Sequence, residues 1–76
     1  MKISEIKVGF TYTNGKGRNR KVIDEGDYPC TNMIHQDNRD CLLYKITLGN
    51  KHGEYSVGNL GKITRKRFAN WAKARI

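Results

Sequence analysis

The chain has 76 residues, 37% hydrophobic and 29% charged, which is the composition of a globular domain rather than a disordered segment. A chain this short forms a single domain (1–76) and is too small for a deep active-site pocket in its core. No apolar run approaches the roughly 18 residues that cross a membrane, and the start of the sequence lacks a signal peptide. We therefore expect a reduced, cytoplasmic protein, with Cys30 and Cys41 packed as small hydrophobic side chains; a disulfide between them is the alternative.

The net charge of +8 is the most informative property of the composition. Such a charge attracts nucleic acid, an acidic protein surface or anionic lipid. Residues 24–44 hold five of the seven carboxylates against one cation, Arg39, so this segment carries −4 and the rest of the chain carries +12. This separation predicts a basic face beside an acidic edge; an ordinary solvated surface is the alternative.

The first predicted elements are a short turn or 3₁₀ segment and then two strands joined by a tight hairpin. Residues 10–13 are β-branched and aromatic, as strands prefer. Asn14-Gly15 predicts the hairpin turn, because both residue types tolerate positive φ. The return strand covers about 18–23, and a polar surface loop follows at 29–40, where proline interrupts the pattern.

The clearest strand covers residues 41–48, where Leu42, Tyr44, Ile46 and Leu48 alternate onto one face. A glycine-containing turn at 49–53 leads into a predicted strand at 54–57, and a brief extended piece follows at 60–63.

The C-terminal segment predicts a helix over 65–76 with Thr64 as its N-cap. Phe68, Trp71, Ala72 and Ile76 share one face at helical spacing. The sequence therefore predicts a mainly β, α+β fold, with a small bent antiparallel sheet of four or five strands and one C-terminal helix. An SH3-like barrel is the expected closure, since curling protects the strand edges.

Two basic clusters are the candidate binding residues. The run from Gly15 to Lys21 lacks the patterns of a Walker loop or a dinucleotide fingerprint, but its glycines allow backbone N–H groups to face an anion. Cations at the start of the helix oppose its dipole, so they are kept at a small cost to stability. The predicted contacts to phosphates or an acidic partner are Lys16, Arg18, Arg20, Lys21, Lys62, Arg65, Lys66, Arg67 and Lys73.

Three tyrosines are candidates for stacking on bases: Tyr12, Tyr28 and Tyr55. Packing in the core is the alternative for each of them. As surface ligands, Arg18 and Arg20 should tolerate alanine without loss of thermal stability. A continuous basic strip would favour nucleic acid as the partner, and two separate patches beside an exposed aromatic residue would favour a protein.

Residues for catalysis or metal binding lack a recognisable arrangement. Cys30, His35, Cys41 and His52 include no Cys-x-x-Cys pair, and the carboxylates do not follow an EF-hand pattern. The two serines lie near no recognisable His/Asp order. We expect no enzyme activity, no metal and no cofactor.

Four segments together resemble a group of small, largely uncharacterised bacteriophage proteins. They are Gly9-Phe10-Thr11-Tyr12, the run from Gly15 to Ile23, Leu43-Tyr44 and Phe68-Ala69-Asn70-Trp71-Ala72. The shared pattern is G-x-x-Y, R-x-V-I and F-A-x-W-A. The resemblance implies a phage or prophage origin and the cytoplasm of a bacterial host, without implying an activity.

Two function hypotheses follow. The first is a small basic phage-type protein that binds DNA or RNA through phosphate contacts. The second is a phage-encoded inhibitor that binds a host or defence-system protein, of the anti-CRISPR or anti-restriction type. A positive charge is the wrong sign for mimicry of DNA. The oligomeric state stays open.

Overall fold

The fold was obtained as a computed structural model that describes residues 1–26, 40–53 and 55–76. The elements are a 3₁₀ helix (Ile3–Glu5), β1 (Thr11–Thr13), β2 (Asn19–Gly26), β3 (Cys41–Leu48), β4 (Leu60–Thr64), α1 (Arg65–Trp71) and β5 (Ala74–Arg75). The strands form one antiparallel sheet in the order β4-β3-β2-β1-β5. This mainly β sheet with a helix near the C-terminus confirms the predicted fold class. The sheet is open, with β4 and β5 at its two edges, so the predicted barrel is not closed.

Some sequence predictions fall on residues that the structure does not describe. Of the loop predicted at 29–40, only Asp40 is among the described residues. Tyr28, Cys30 and Glu54 lie outside them. Within the described ranges, no helix is both long enough and apolar enough to span a membrane.

The hairpin between β1 and β2 forms where the sequence predicts it. Gly15 and Gly17 have φ of 74° and 83°, in the region that favours glycine. The side-chain oxygen of Asn14 accepts hydrogen bonds from the backbone N–H groups of Lys16, at 2.8 Å, and Arg18, at 3.2 Å. These two N–H groups are therefore used inside the loop. The expectation that backbone N–H groups of this loop face an anion is therefore wrong for Lys16 and Arg18.

The core lies between one face of the sheet and α1. Tyr12, Val22 and Leu42 come from three adjacent strands and are fully buried. The Phe68 ring of α1 packs on them, with its centroid 5.4 Å from that of Tyr12 in an edge-to-face arrangement. Ile6, Ala69 and Ala72 complete this cluster.

α1 begins as predicted but ends early. The Thr64 side chain accepts a hydrogen bond from the Arg67 backbone N–H at 3.2 Å, which confirms the N-cap. The helix ends at Trp71, and Ala72 is extended with a ψ of 136°. The prediction of a continuous helix over 65–76 is therefore wrong in its second half.

The cause of the early ending is a strand that pairs with β1. The Lys73 N–H donates to the Thr13 carbonyl at 2.8 Å, and the Ile76 N–H donates to the Thr11 carbonyl at 3.0 Å. β5 lies between these two bonds and covers the edge of β1 that β2 leaves open. Pairing with a distant strand thus outweighs the local helical periodicity.

The segment before β4 also differs from its prediction. The predicted strand at 54–57 is wrong for its described residues, which form turns and a single bridge between Asn50 and Ser56. Gly53 and Gly58 have φ of 91° and 95°, so the chain folds back on itself here. The strand that pairs with β3 on the side away from β2 is β4 instead.

Cys41 is buried at the start of β3 and is disulfide-bonded. The expectation of a free thiol is therefore wrong for this residue. Disulfides persist mainly in oxidising compartments. The cysteines thus no longer support the expectation of a reduced, cytoplasmic protein.

Candidate nucleic-acid interface

Arg20 is part of the core rather than of the surface. It is only 7% exposed, and its guanidinium carbon lies 4.2 Å from the ring centroid of Trp71 and 4.5 Å from that of Tyr44. Burial lowers the pKa of the Arg20 guanidinium, and the aromatic rings favour its charge through cation–π contacts. The prediction of a surface phosphate ligand at Arg20 is wrong, because its position faces the core together with Tyr12 and Val22.

Tyr12 likewise offers no surface for stacking. Its side chain is fully buried. Its hydroxyl donates to the Glu5 carbonyl at 2.6 Å and accepts from the Lys7 N–H at 2.8 Å. These bonds hold the 3₁₀ segment against the sheet. The prediction that Tyr12 stacks on a base is wrong, and the alternative of core packing holds.

Arg65 is occupied by contacts within the protein. Its guanidinium pairs with Asp40 at 2.8 Å, pairs with Glu25, and donates to the Ile6 carbonyl. Desolvation lowers the pKa of Arg65, but the hydrogen bonds that it donates to Asp40 and Glu25 outweigh that effect, so the pKa is raised. Arg65 thus joins the start of α1 to the acidic edge predicted from the sequence. It is not available as the surface ligand that the sequence predicts.

The hairpin tip and the end of α1 lie against each other. A Cβ atom placed on Gly15 would lie 3.7 Å from Cγ of Lys73. Lys16, the next residue in the tip, and Lys73 are both exposed. The register of β5 on β1 fixes this proximity, because Ala74 pairs with Thr13.

The outer side of α1 connects this point to the start of the helix. Lys66, Arg67 and Asn70 are exposed, whereas Phe68 and Ala69 are buried. Residues four apart lie one above the other, so Lys66 and Asn70 lead toward the end of the helix. The seven residues of α1 span about 10 Å. We name Lys16, Lys66, Arg67 and Lys73 the helix–hairpin strip.

Arg18 and Tyr55 form a stacked pair beside the hairpin. The Arg18 guanidinium carbon lies 4.2 Å from the Tyr55 ring centroid. Arg18 is half-buried, and Tyr55 is 38% exposed. Tyr55 is thus the described stacking candidate whose ring reaches the surface.

The remaining predicted cations lie on the opposite face of the sheet. Lys21 is exposed between Arg20 and Val22, which both face the core. The register of β2 and β3 places Lys21 directly opposite Lys45, and Lys62 is diagonal to Lys45 on β4. We name Lys21, Lys45 and Lys62 the outer lysine face.

The sequence did not predict Lys45 as a binding residue, because both predicted basic clusters consist of residues that are close together in the sequence. This lysine stands alone within β3, and only the strand register brings it to Lys21. The alternation of apolar residues in β3 was the available signal. This alternation puts Lys45 on the face opposite the core, but it does not show which residues of the neighbouring strands lie beside it.

Comparison with protein-family models, curated proteins and solved structures gives no match for this chain. Within the part of the chain that the structure describes, no group of three or more His, Cys, Asp or Glu residues could hold a metal ion. The charges and rings described above are therefore the basis for a functional proposal.

Proposed function

We propose that this protein binds nucleic acid through the helix–hairpin strip. The observation that carries the proposal is the contact geometry at Gly15, where Lys73 packs against the hairpin tip. Two basic segments that are far apart in the sequence meet there. Duplex DNA carries one charge per about 1.7 Å of axis, so a basic line about 10 Å long faces several phosphates.

No cation of the strip forms an ion pair with a described carboxylate. Both ion pairs among the described residues use Arg65, and neither uses a cation of the strip. The carboxylates of these pairs, Glu25 and Asp40, hold the start of α1 to the sheet. The strip therefore presents a positive field that the described carboxylates do not neutralise by direct contact.

The Arg18–Tyr55 pair supports the same function. Proteins that bind single strands combine a cationic groove with aromatic rings on which bases stack. The partly exposed ring of Tyr55 lies over Arg18, which ends the same hairpin loop that carries Lys16. One base stacking here would lie beside phosphates held by the hairpin.

Fluorescence anisotropy of labelled duplex DNA, single-stranded DNA and RNA across a salt series tests this proposal. Four contacts to duplex DNA predict a slope of log K against log salt of about −3 to −4. The double variant Lys66→Gln/Lys73→Gln should reduce the slope by about 2. The matched control Lys7→Gln/Lys51→Gln removes the same charge from exposed positions outside the strip and should change binding much less. Absence of binding to all three oligomers at about 50 mM salt would overturn the proposal.

A second candidate function is inhibition of a host or defence-system protein, of the anti-CRISPR or anti-restriction type. It is favoured by three exposed apolar side chains near the end of β3 and in or before the edge strand β4. Leu48, Val57 and Leu60 are 48%, 58% and 60% exposed. Exposed apolar groups and open strand edges are typical of protein-binding surfaces.

This second function implies a phage origin and action in the cytoplasm of a bacterial host. The test is phage plating on bacteria that carry a CRISPR or restriction system, with and without the protein. Inhibition should raise plating efficiency, and Val57→Glu/Leu60→Glu should abolish the increase. An unchanged plating efficiency with the wild-type protein would refute inhibition of the systems tested.

A further inference from the structure

The outer lysine face places like charges in direct opposition. Lys21 and Lys45 are partners in the β2–β3 register. Directly opposed residues in an antiparallel pair have Cβ atoms about 4.5–5.5 Å apart, and like charges there are destabilising. Both lysines are exposed, and neither forms an ion pair with a described residue. The fold thus keeps a repulsive pair that a binding partner of opposite charge would relieve.

A third lysine extends this charge across the sheet. Lys45 is opposite Leu60, and Lys62 is opposite Leu43, so Lys62 is diagonal to Lys45 on the neighbouring strand. Three adjacent strands therefore each contribute one lysine to a single face, and one exposed carboxylate, Asp24, lies at its margin as the partner of Leu43. The opposed pair of Lys21 and Lys45 forms the centre of the face, and Lys62 only extends it.

This face points away from the helix–hairpin strip. The residues that flank Lys21 in β2, Arg20 and Val22, face the core that α1 covers. The domain measures 31 × 27 × 18 Å along its principal axes. Duplex DNA has a persistence length of about 150 base pairs, so a short duplex on the strip does not bend around to the opposite face.

We infer that the outer lysine face is a second nucleic-acid site, so that one protein molecule bridges two nucleic-acid segments. This inference rests on the proposed function of the helix–hairpin strip. The strip holds the first segment, and the opposed pair of Lys21 and Lys45 attracts the phosphates of a separate second segment. The occupant is the phosphate backbone of that second segment.

The experiment is a co-capture assay with two short duplexes of unrelated sequence. One duplex carries biotin and is held on beads, and the other carries a fluorophore. Wild-type protein should retain the fluorescent duplex on the beads. Lys21→Gln/Lys45→Gln should lower this retention by about tenfold or more, since two phosphate contacts are lost at the second face. The same variant should change the affinity for a single duplex, measured by anisotropy, by less than about threefold.

Controls separate bridging by one molecule from co-capture by a protein oligomer or by net charge alone. Lys7→Gln/Lys51→Gln, which has the same net charge as Lys21→Gln/Lys45→Gln, should bridge as the wild type does. Lys21→Gln/Lys45→Gln should fold with an unchanged or higher melting temperature, because it removes a like-charge pair. Sedimentation of the protein alone should show the same oligomeric state for both variants.

Each outcome has a distinct meaning. If single duplexes do not bind, both the proposed function and the bridging inference are wrong. If they bind but are not co-captured, or if co-capture survives Lys21→Gln/Lys45→Gln, bridging through this face is wrong while the proposed function stands. If that variant instead loses only binding to phosphatidylserine vesicles, the face is a lipid site and the inference is overturned.

Discussion

Replacement of Arg20 by alanine should strongly destabilise the protein, although this residue is a cation in a basic run. Its guanidinium lies between the rings of Trp71 and Tyr44, and its side chain is 7% exposed. Removing a long buried side chain down to alanine costs about 2–5 kcal/mol, as in other cores. Two desolvated cation–π contacts, each worth about 1–2 kcal/mol, are lost as well. The loss is offset in part, since the cost of burying the charge also disappears.

The two losses sum to about 4–9 kcal/mol, and the several kcal/mol that burial of the charge costs are regained, which leaves a net loss of about 3 kcal/mol in the free energy of unfolding for Arg20→Ala. A domain of this size is stable by about 4–11 kcal/mol, so this is a large fraction of the total. The melting temperature should fall by about 12–24 °C. Arg18→Ala is the matched control. Its guanidinium stacks on a single, partly exposed ring, so the loss should stay below about 1 kcal/mol.

Urea titration followed by circular dichroism and by the fluorescence of Trp71, the only tryptophan, measures both variants. Nucleic-acid binding by Arg18→Ala should weaken while the variant stays folded, with a loss of stability below about 1 kcal/mol. If Arg18→Ala and Arg20→Ala have the same small effect on stability, Arg20 is not part of the core. The sequence-based expectation that Arg20 lies on the surface would then be correct.

Three further substitutions or treatments test the packing of the fold. Gly61→Ala should cost about 1–3 kcal/mol in urea titrations, because a Cβ atom there would overlap the Tyr44 ring; an unchanged midpoint would mean that this ring moves aside freely. Thr64→Ala should cost about 1 kcal/mol by removing the N-cap, and a stable variant would show that the Arg67 N–H finds another acceptor. Unfolding without reductant should expose no thiol to Ellman's reagent, because Cys41 is disulfide-bonded, and a titrating thiol would contradict this. Reduction should lower stability by about 2–3 kcal/mol.

The confirmed predictions depend on sequence patterns that lie within a few neighbouring residues. Asn14-Gly15 predicted the hairpin, in which Gly15 has a positive φ while the Asn14 side chain accepts two backbone hydrogen bonds. Thr64 predicted the start of α1 through its side-chain acceptor. The alternation in residues 41–48 predicted β3 with its bounds. In each case the physical cause lies within the segment itself, so the sequence contains it.

The predictions that failed depend on contacts between distant segments. The end of α1 is set by the open edge of β1, to which Lys73 and Ile76 donate hydrogen bonds. Lys45 joins the outer lysine face only through the register of β2 and β3. Arg20 and Lys21 are neighbours in β2 and therefore point to opposite faces of the sheet, with Arg20 on the core face. The alternation of β2 indicated this position, whereas the charge of Arg20 indicated the surface.

The packing of Lys73 against Gly15 has a consequence for the response of the protein to salt. Lys16 is far from Lys73 along the unfolded chain, and folding brings these two cations of the helix–hairpin strip close together against their mutual repulsion. Added salt screens this repulsion and so favours the folded state, while it weakens the attraction to phosphates. Moderate salt should therefore raise the melting temperature of the free protein over the same range in which it releases the nucleic acid.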